Sequence, residues 1–451
     1  MYTVDTCHVV AVPYPGRGHI NPMMNICELV SGKSSSILFT FVLTEEWLGL
    51  IGSDNKPANI RFVTIPNVVP SEKVRGSDPR GFALAVWDKM EEPIEQLLDK
   101  LQLSPALIIS DAFLPWAADV AARRNIPLAS LWPMSALVFS VLHYFDLIVQ
   151  HGHFPINLPV NGKDLIDYIP GLSPIRVADL PLAMRSPEKV PSFLKLITQA
   201  LKAQYLIMSS IYELETQVID ALNAIISSPI FTLGPAISYF KMKKNVQCIN
   251  DFDYLKWLNN QPPNSVLYIA LGSYLSISSF LMDEIIAGLC GGGTRFLWVA
   301  RGETSRKQDF CEEKGLVVPW CDQLSVLCHP SIGGFLSHCG WNSIKEAILS
   351  GVPILTFPIL LDQVPNAKMI VEDWQIGWKA KTLFKEENMI NRDEIAQLVQ
   401  RFMNLDTGER KQLEKKVREI QQVCDKEFAD GGPFQNNLDG FTKSILQYHQ
   451  S

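Results

Sequence analysis

Two polar residues in the N-terminal half of the chain, His19 and Asp111, are of types that suit proton transfer. A neutral imidazole can take a proton from a hydroxyl near pH 7, and a carboxylate on its second nitrogen would stabilise the imidazolium that forms. His19 follows Cys7–Tyr14, which predicts a strand, and Asp111 ends the apolar run Ala106–Ser110. A helix cap and a strand end would explain the same two residues, so both interpretations stay open at this point.

A second group of candidates lies between Trp320 and Gln363. The apolar run Ile332–His338 predicts a buried strand, and Asn342 with Ser343 opens a helix. A helix start exposes backbone N–H groups and a positive dipole end, so this turn is suited to a phosphate. Further side chains of the segment offer a flat ring, an acceptor for hydroxyls and a polar pair: Trp320, Glu346 and Asp362-Gln363.

Strands alternate with helices along both halves of the chain, which predicts parallel sheets covered on both faces. Ligands of such sheets bind beyond the carboxyl ends of the strands. His19 and Asp111 both follow such ends, so we expect them to meet in space. The other predicted strands are Ile37–Leu43, Ile60–Ile65, Pro127–Trp132, Val266–Leu271, Phe296–Ala300 and Pro353–Pro358. The predicted helices are Asn21–Val30, Phe82–Leu101, Trp116–Arg124, Tyr254–Leu258, Ile395–Val423 and Asn436–Tyr448.

Composition narrows the class of protein. The 451 residues are 47% hydrophobic and 19% charged, as in ordinary globular domains, and the net charge of −7 argues against a nucleic-acid partner. The N-terminus shows no signal peptide. Leu128–Val149 is the most membrane-like segment, but Pro133, His143 and Asp146 favour a buried helix over a membrane span. Nine cysteines without a paired framework suit a reducing cytosol. We therefore expect a cytoplasmic protein. A monomer is our further expectation, which does not follow from the composition.

Two patterns could suggest a bound metal, and neither has the right spacing or position. Asp251-Phe252-Asp253 precedes a helix, where negative charge is favourable without any metal. A run rich in metal-ligand types has no C-x2-C spacing: Cys321, Cys328, His329, His338 and Cys339. We expect no metal site.

Residues 320–363 resemble, almost position by position, the signature box of the plant family 1 UDP-dependent glycosyltransferases that act on small molecules. The match includes W-x-x-Q, H-C-G-W-N-S and the final D-Q. Outside the box, Pro13–Pro22 is similar to the family's loop with the catalytic base, and Ser110–Phe113 to the segment with its activating Asp. Ser209–Glu215 and Leu233–Pro235 are similar to later landmarks.

The resemblance implies an α/β protein of the GT-B fold, with two Rossmann-like doubly wound domains facing each other across a cleft. Residues 1–240 would bind the acceptor and residues 241–434 the UDP-sugar. The interdomain linker would lie in Ile237–Asn250. A C-terminal helix of about residues 435–451 would pack back on the first domain.

The resemblance also implies roles for single residues. His19 would be the catalytic base, oriented by Asp111. The nucleotide would be bound by Ser273, Trp320, Cys321, Gln323, His338, Asn342, Ser343 and Glu346, with Trp320 stacking on uracil and Glu346 accepting from the ribose. The sugar would contact Trp132, Trp341, Asp362 and Gln363. The acceptor pocket would be lined by Trp87, Phe113, Trp116, Met134, His143 and Leu182.

The expected reaction is inverting, metal-independent transfer of glucose from UDP-glucose, a co-substrate, to a hydroxyl or carboxyl of a lipophilic flavonoid, phenolic, terpenoid or hormone. Pro133 stands where the family often has a hydroxyl residue, which leaves the donor sugar open unless Ser135 compensates. Leu271 and Ile344 also depart from the family pattern, with effects on packing alone. The alternatives are a catalytically silent sugar-nucleotide binding protein and an acceptor-independent enzyme such as an epimerase.

Overall fold

The computed structural model of the chain describes residues 6–52, 56–235, 253–272, 279–300, 314–380 and 392–450. The chain forms two compact units, residues 1–238 with 426–451 and residues 239–425. The sequence analysis places the two domain boundaries at 240 and 434, and the linker that it expects at Ile237–Asn250 lies outside the described residues. Ser273 also lies outside them.

The first unit is built on a seven-stranded sheet in which every neighbouring pair is parallel. Its strands are β1 (Cys7–Val12), β2 (Ile37–Thr44), β3 (Ile60–Ile65), β4 (Leu107–Asp111), β5 (Leu128–Trp132), β8 (Tyr205–Met208) and β9 (Ile230–Thr232). They lie in the order β3-β2-β1-β4-β5-β8-β9. The short strands β6 (Leu165–Ile166) and β7 (Ile175–Arg176) form a separate antiparallel pair.

The described residues up to Pro235 contain ten helices. They are α1 (Arg17–Lys33), α2 (Glu45–Ile51), α3 (Pro79–Lys89), α4 (Glu91–Asp99), α5 (Ala117–Arg123), α6 (Ala136–His143), α7 (Phe145–Gln150), α8 (Leu158–Asn161), α9 (Val190–Ala200) and α10 (Tyr212–Asn223). Two single 3₁₀ turns, Val177–Asp179 and Leu182–Arg185, lie between α8 and α9.

Three predicted elements are wrong in this unit. α1 begins at Arg17 rather than at Asn21, so His19 lies in its first turn and not in a loop. Phe82–Leu101 is two helices, α3 and α4, which meet at Met90. Leu128–Val149 is not one buried helix but β5 followed by α6 and α7, because Pro133 stops the strand and cannot donate to a helical ladder.

The second unit is built on a six-stranded parallel sheet in the order β12-β11-β10-β13-β14-β15. Its strands are β10 (Val266–Ala270), β11 (Arg295–Val299), β12 (Gly315–Val318), β13 (Ile332–Ser337), β14 (Ile354–Thr356) and β15 (Gly377–Lys379). Its helices are α11 (Asp253–Asn259), α12 (Ser279–Gly291), α13 (Gln323–Leu327), α14 (Trp341–Leu349), α15 (Gln363–Lys368), α16 (Arg392–Met403) and α17 (Gly408–Glu427), with a π-helical turn at Met369–Asp373. The predicted long helix Ile395–Val423 is thus two helices, α16 and α17.

The last helix, α18 (Pro433–Gln450), belongs to the first unit. One of its faces completes the apolar core beneath β1 and α1, through Phe434, Leu438, Phe441 and Ile445. Lys33 of α1 pairs with Asp439 at 2.8 Å. The chain therefore returns to its first unit after the second is complete.

In each sheet the chain order reverses beside the first strand of the unit. The reversal lies between β1 and β4 in the first sheet and between β10 and β13 in the second. Doubly wound sheets bind their ligands at such switch points, outside the carboxyl ends of the strands. The residues that follow β1, β4, β10 and β13 are therefore the first to consider for chemistry.

Two further properties of the described residues are the state of their cysteines and the apolarity of their helices. Cys290 is disulfide-bonded, although its position in the sequence gave no sign of a pair. The free thiols of the described ranges are Cys7, Cys27, Cys321, Cys328, Cys339 and Cys424. Across those same ranges, no helix combines the length and apolarity that a membrane span requires.

Candidate functional site

His19 and Asp111 meet at the switch point of the first sheet. Nδ1 of His19 lies 2.8 Å from Oδ2 of Asp111, which confirms that the two side chains are neighbours. Asp111, the last residue of β4, is fully buried, whereas the His19 side chain is 22% exposed. The other carboxylate oxygen, Oδ1, accepts a hydrogen bond from the backbone N–H of Phe113 at 2.9 Å. Both oxygens of Asp111 are therefore hydrogen-bonded, which fixes the orientation of the carboxylate.

This geometry fixes which nitrogen of His19 can act as a base. An ionised carboxylate only accepts hydrogen bonds, so Nδ1 of the neutral ring carries the proton and donates it to Asp111. Nε2 then has the lone pair. The ring can therefore take up a proton at Nε2 while the buried carboxylate stabilises the positive charge that results.

Aromatic rings surround the His19 imidazole. Its centroid lies 4.8 Å from that of Tyr14 and 5.2 Å from that of Phe113, the latter edge-on. Phe113 in turn lies 5.9 Å from Trp132 and 6.5 Å from Phe193. The sequence did not single out Tyr14 or Phe193, although Tyr14 lies two residues after the end of β1 and could have been found from that position. Phe113 is half-buried, so its ring can present an apolar, planar surface to a ligand beside His19, whereas Tyr14 is 6% exposed and belongs to the core.

An ion pair packs against the loop that leads to His19. Nη1 of Arg75 lies 3.0 Å from Oε2 of Glu72 and donates to the carbonyl of Pro15 at 3.4 Å; both side chains are buried. A Cβ atom at Gly16 would lie 2.5 Å from that same nitrogen, so a larger residue there would displace the end of the Arg75 side chain from its present position. Nothing in the sequence pattern indicated this contact.

The residues of the first unit that were expected to contact acceptor or sugar fall into two groups: some are buried in the core, and others lie at or next to His19. Trp132 is fully buried, with its indole N–H donating to Ser135, so its ring has no surface for the expected sugar contact. Trp116 is 5% exposed and donates to the Val86 carbonyl inside the core, so it is a core residue and not a pocket wall. Of the others, Phe113 touches His19, and Trp87 donates to the Phe113 carbonyl at 3.0 Å.

For the remaining three acceptor candidates, the structure gives burial or a ring contact but no direct contact with the His19 ring. Met134 is 9% exposed, and Leu182 is half-buried in a 3₁₀ turn. His143, at the end of α6, stacks on Phe139 at 6.3 Å, and burial lowers the pKa of its imidazole. The structure records no contact that assigns these three to one pocket, and their role stays a prediction.

In the second unit, the turn from β13 into α14 has the features of an anion site. His338 and Cys339 follow the strand, Cys339 has a positive φ of 66°, and α14 begins directly after Gly340. Nδ1 of His338 lies 3.4 Å from the Ala270 carbonyl at the end of β10, across the switch point. Burial lowers the pKa of His338 to about 4, so the ring is neutral at pH 7. A helix start of this kind directs backbone N–H groups and a positive dipole end toward the turn, which suits an anion.

A hydrogen-bonded chain links four residues beside this turn. The Gln323 amide nitrogen donates to Oε2 of Glu346 at 2.6 Å and to Ser343 at 2.9 Å, and its oxygen accepts from the Tyr268 hydroxyl at 3.2 Å. Burial raises the pKa of the Glu346 carboxyl to about 7, and Asp322 adds to that shift, while the Gln323 bond opposes it. The sequence did not indicate Tyr268 as a site residue, because a tyrosine inside a predicted buried strand is expected to be a core residue.

The other nucleotide candidates lie close to this chain. The Cys321 thiol lies 3.4 Å from the Tyr268 hydroxyl. Trp320 is 44% exposed, which is unusual for so large an apolar ring and leaves a face open. Asn342, at the second position of α14, is half-buried. Hydrogen bonds thus connect four residues of the expected nucleotide site, Cys321, Gln323, Ser343 and Glu346, through Tyr268 and Gln323, and their role in binding stays a prediction.

The expected sugar residues Asp362 and Gln363 begin α15. The oxygen of the Gln363 amide accepts the backbone N–H groups of Ile359 and Leu360 at 2.7 and 2.8 Å, so its nitrogen is the end left to donate elsewhere. Asp362 is 8% exposed and accepts from Asn366, a residue that the sequence analysis did not consider. The third, Trp341, is buried beside Trp374, at 6.3 Å between the ring centroids.

Comparison with known proteins identifies the class. Residues 41–392 match the family model described as UDP-glucoronosyl and UDP-glucosyl transferase. The chain is 45% identical over 440 residues to UDP-glycosyltransferase 87A1 of Arabidopsis thaliana, covering 97% of this chain and 100% of the relative. It is 32% identical over 465 residues to 7-deoxyloganetin glucosyltransferase of Catharanthus roseus, covering 93% of this chain and 92% of the relative.

Solved structures share the architecture. TcCGT1 in complex with UDP superposes with a TM-score of 0.84 at 26% identity, over 98% of this chain and 100% of the other. Medicago truncatula UGT71G1 complexed with UDP-glucose gives a TM-score of 0.82 at 24% identity, over 98% and 99%. The two Rossmann-like units thus form a GT-B fold, the fold of sugar-nucleotide-dependent transferases. The chain belongs to the UDP-glucoronosyl and UDP-glucosyl transferase family, and the resemblance to its plant family 1 members is confirmed.

Proposed function

We propose that this enzyme transfers a sugar from a UDP-sugar to a hydroxyl or carboxyl oxygen of a lipophilic small molecule, with inversion at the anomeric carbon and without a metal. The observation that carries the proposal is the His19–Asp111 pair, joined at 2.8 Å with Nε2 of the histidine directed away from the carboxylate among aromatic rings. Glucose is the sugar we propose, and Pro133, in place of the hydroxyl residue frequent in the family, is the position at which a different donor preference would arise.

The reaction step follows from that pair. Nε2 of His19 removes the proton of the acceptor while the acceptor oxygen forms a bond to the anomeric carbon of the donor. The bond from that carbon to the diphosphate oxygen breaks, and its electron pair leaves with UDP. Attack on the face opposite the leaving group inverts the configuration in a single displacement. Asp111 stabilises the imidazolium and stays ionised.

The second unit supplies the donor site in this proposal. Trp320 stacks on the uracil, with Cys321 and Gln323 beside it, and Glu346 accepts from the ribose hydroxyls. The diphosphate lies at the start of α14, held by Asn342, Ser343, His338 and, outside the described residues, Ser273. The positive end of the helix supplies the stabilisation that a divalent cation gives in other transferases, which supports metal independence. The sugar contacts Trp341, Asp362 and Gln363.

The acceptor proposal rests on the surroundings of the base. The rings of Tyr14 and the half-buried Phe113 make the surroundings of His19 apolar and aromatic, which favours flat or apolar molecules over free sugars and peptides. The Catharanthus roseus relative, named for glucosylation of 7-deoxyloganetin, acts on a small molecule. We propose a phenolic or terpenoid alcohol as acceptor, and a monomeric enzyme in the cytoplasm.

The test is release of UDP from UDP-glucose, with and without a panel of phenolic and terpenoid alcohols, in the presence of EDTA. We expect release that depends on the added acceptor. Turnover of UDP-glucose without any acceptor would favour an enzyme of the epimerase type. Tight binding of UDP-glucose without turnover of any panel member would favour a silent binding protein. Loss of activity in EDTA, restored by Mg²⁺, would contradict metal independence.

Glu346 makes a prediction about pH. Its pKa near 7 means that the carboxyl changes from mostly neutral at pH 6 to mostly ionised at pH 8. Ribose hydroxyls donate to the ionised form best, so the affinity for UDP should rise over this interval. Because a single site with this pKa changes its ionised fraction about tenfold from pH 6 to pH 8, we expect an increase of about tenfold.

Glu346→Gln is the matched control, since glutamine resembles the neutral carboxyl at every pH. The phosphate of UDP also titrates near pH 6, so the measured quantity is the ratio of the two dissociation constants, variant to wild type, by calorimetry. That ratio should grow about tenfold from pH 6 to pH 8. A ratio that is constant over the interval would remove Glu346 from the ribose site.

A further inference from the structure

Asn366, in α15, is fully buried and touches two parts of the donor site at once. Its side-chain nitrogen donates to the backbone carbonyl of Cys339 at 3.0 Å and to Oδ2 of Asp362 at 2.8 Å. Both partners can only accept, so the amide orientation is fixed and both hydrogens of the nitrogen are in use.

The hydrogen bond from Asn366 to the Cys339 carbonyl fixes the orientation of the peptide group between Cys339 and Gly340. Cys339 is in the left-handed region, with φ of 66°, a conformation that a non-glycine residue keeps only when its surroundings hold it. Its N–H donates to Oγ of Ser337 at 3.1 Å, and its carbonyl is held by Asn366. In a trans peptide the N–H points opposite to the carbonyl, so Asn366 directs the N–H of Gly340 away from α15.

The Asp362 end of the bridge controls a carboxylate. Asp362 is 8% exposed, and the bond from Asn366 fixes the rotation of its side chain. The neighbouring Gln363 is fixed separately, because its oxygen accepts two backbone N–H groups of its own loop. The two polar side chains at the start of α15 are therefore oriented before any ligand arrives, one of them by Asn366.

We propose that Asn366 is a positioning residue that couples the phosphate turn, residues 338–340, to Asp362, so that the diphosphate and the sugar of the donor are recognised together. This inference rests on the proposed function, because it takes the turn as the diphosphate site and Asp362 as a sugar contact. Asn366 does not touch the donor itself. Its removal should weaken recognition of the β-phosphate and the sugar, and leave recognition of uracil and ribose nearly unchanged.

The test uses three ligands that add one donor group at a time: UMP, UDP and UDP-glucose. Dissociation constants are measured by calorimetry for the wild type, Asn366→Ala and Asn366→Asp. For both variants we expect UDP-glucose affinity to fall at least tenfold and UMP affinity to change by less than about twofold. Asn366→Asp keeps the shape but places oxygens against the Cys339 carbonyl and Asp362, so it should not restore affinity.

A matched control is Gln421→Met, which removes an amide hydrogen bond of 2.7 Å to the carbonyl of Leu349 at the other end of α14. It should leave all three dissociation constants within about twofold of the wild type. If Asn366 only supports packing, Asn366→Asp will bind like the wild type, or all three ligands will weaken by one common factor; either result overturns the inference. Failure of the wild type itself to bind UDP-glucose would instead contradict the proposed function.

Discussion

Replacing His19 by alanine will abolish acceptor-dependent UDP release and leave the dissociation constant for UDP within about twofold of the wild type. The variant loses the only described imidazole that is paired with a buried carboxylate at the switch point of the first sheet. General-base catalysis of this kind contributes about 10²- to 10⁴-fold, so the expected fall in kcat is of that size or larger. The measurement is initial-rate kinetics together with calorimetry of UDP.

Asp111→Asn separates the role of the carboxylate from that of the ring. The amide keeps the shape, yet it cannot stabilise an imidazolium by charge, and its nitrogen can force the wrong tautomer on His19. We expect a fall in kcat of about 10²-fold or more, again without loss of UDP affinity. Lost UDP binding in His19→Ala, or unchanged kcat in both variants, would contradict the assignment of these two residues.

Replacing Glu215 by leucine should lower the free energy of unfolding of the first unit by about 3–5 kcal/mol. The carboxylate is buried and accepts the backbone N–H groups of Ala136 and Leu137 at 3.0 and 2.9 Å, as well as the Ser210 hydroxyl. Leucine leaves these buried donors without an acceptor, at roughly 1–3 kcal/mol each. The measurement is urea denaturation followed by tryptophan fluorescence.

Glu213→Leu is the control for this prediction, since it makes the same change at an exposed position of the same helix, α10. We expect it to change stability by less than about 1 kcal/mol. Glu215 caps the first turn of α6, the helix between the acceptor candidates Met134 and His143. Equal changes in the free energy of unfolding for the two substitutions would show that the hydrogen bonds from Glu215 to α6 do not stabilise the first unit.

The sequence was sufficient for the parts of the site that depend on strand ends. Parallel strands place the residues that follow them at one edge of a sheet, so the meeting of His19 with Asp111 could be predicted from two apolar runs. The helix start at Asn342 could be predicted in the same way, because a strand, a glycine turn and an apolar period of 3.6 residues follow one another. In both cases the relevant geometry is local or fixed by topology.

Tertiary contacts were beyond the same reasoning. An aromatic residue type does not say whether its ring faces a ligand or the core, so Trp116 and Trp132 were expected near ligands and are buried instead. Asn366 lies 27 positions from Cys339 in the chain, and no spacing rule connects an amide in one helix with a carbonyl before another. The contact of the Glu72–Arg75 ion pair with the loop at Pro15 likewise depends on how their own loop folds, which the sequence does not indicate.

The position of α18 has a consequence for how the protein is made. The apolar groove beneath β1 and α1 is filled by Phe434, Leu438, Phe441 and Ile445, which are translated only after the whole second unit. The first sheet can form early in synthesis, but its hydrophobic core stays open to water until the second unit has been translated. Although the first unit is translated first, its nascent chain should therefore need chaperones until α18 has also been translated. A stop codon before Pro433 should destroy the unit that is made first.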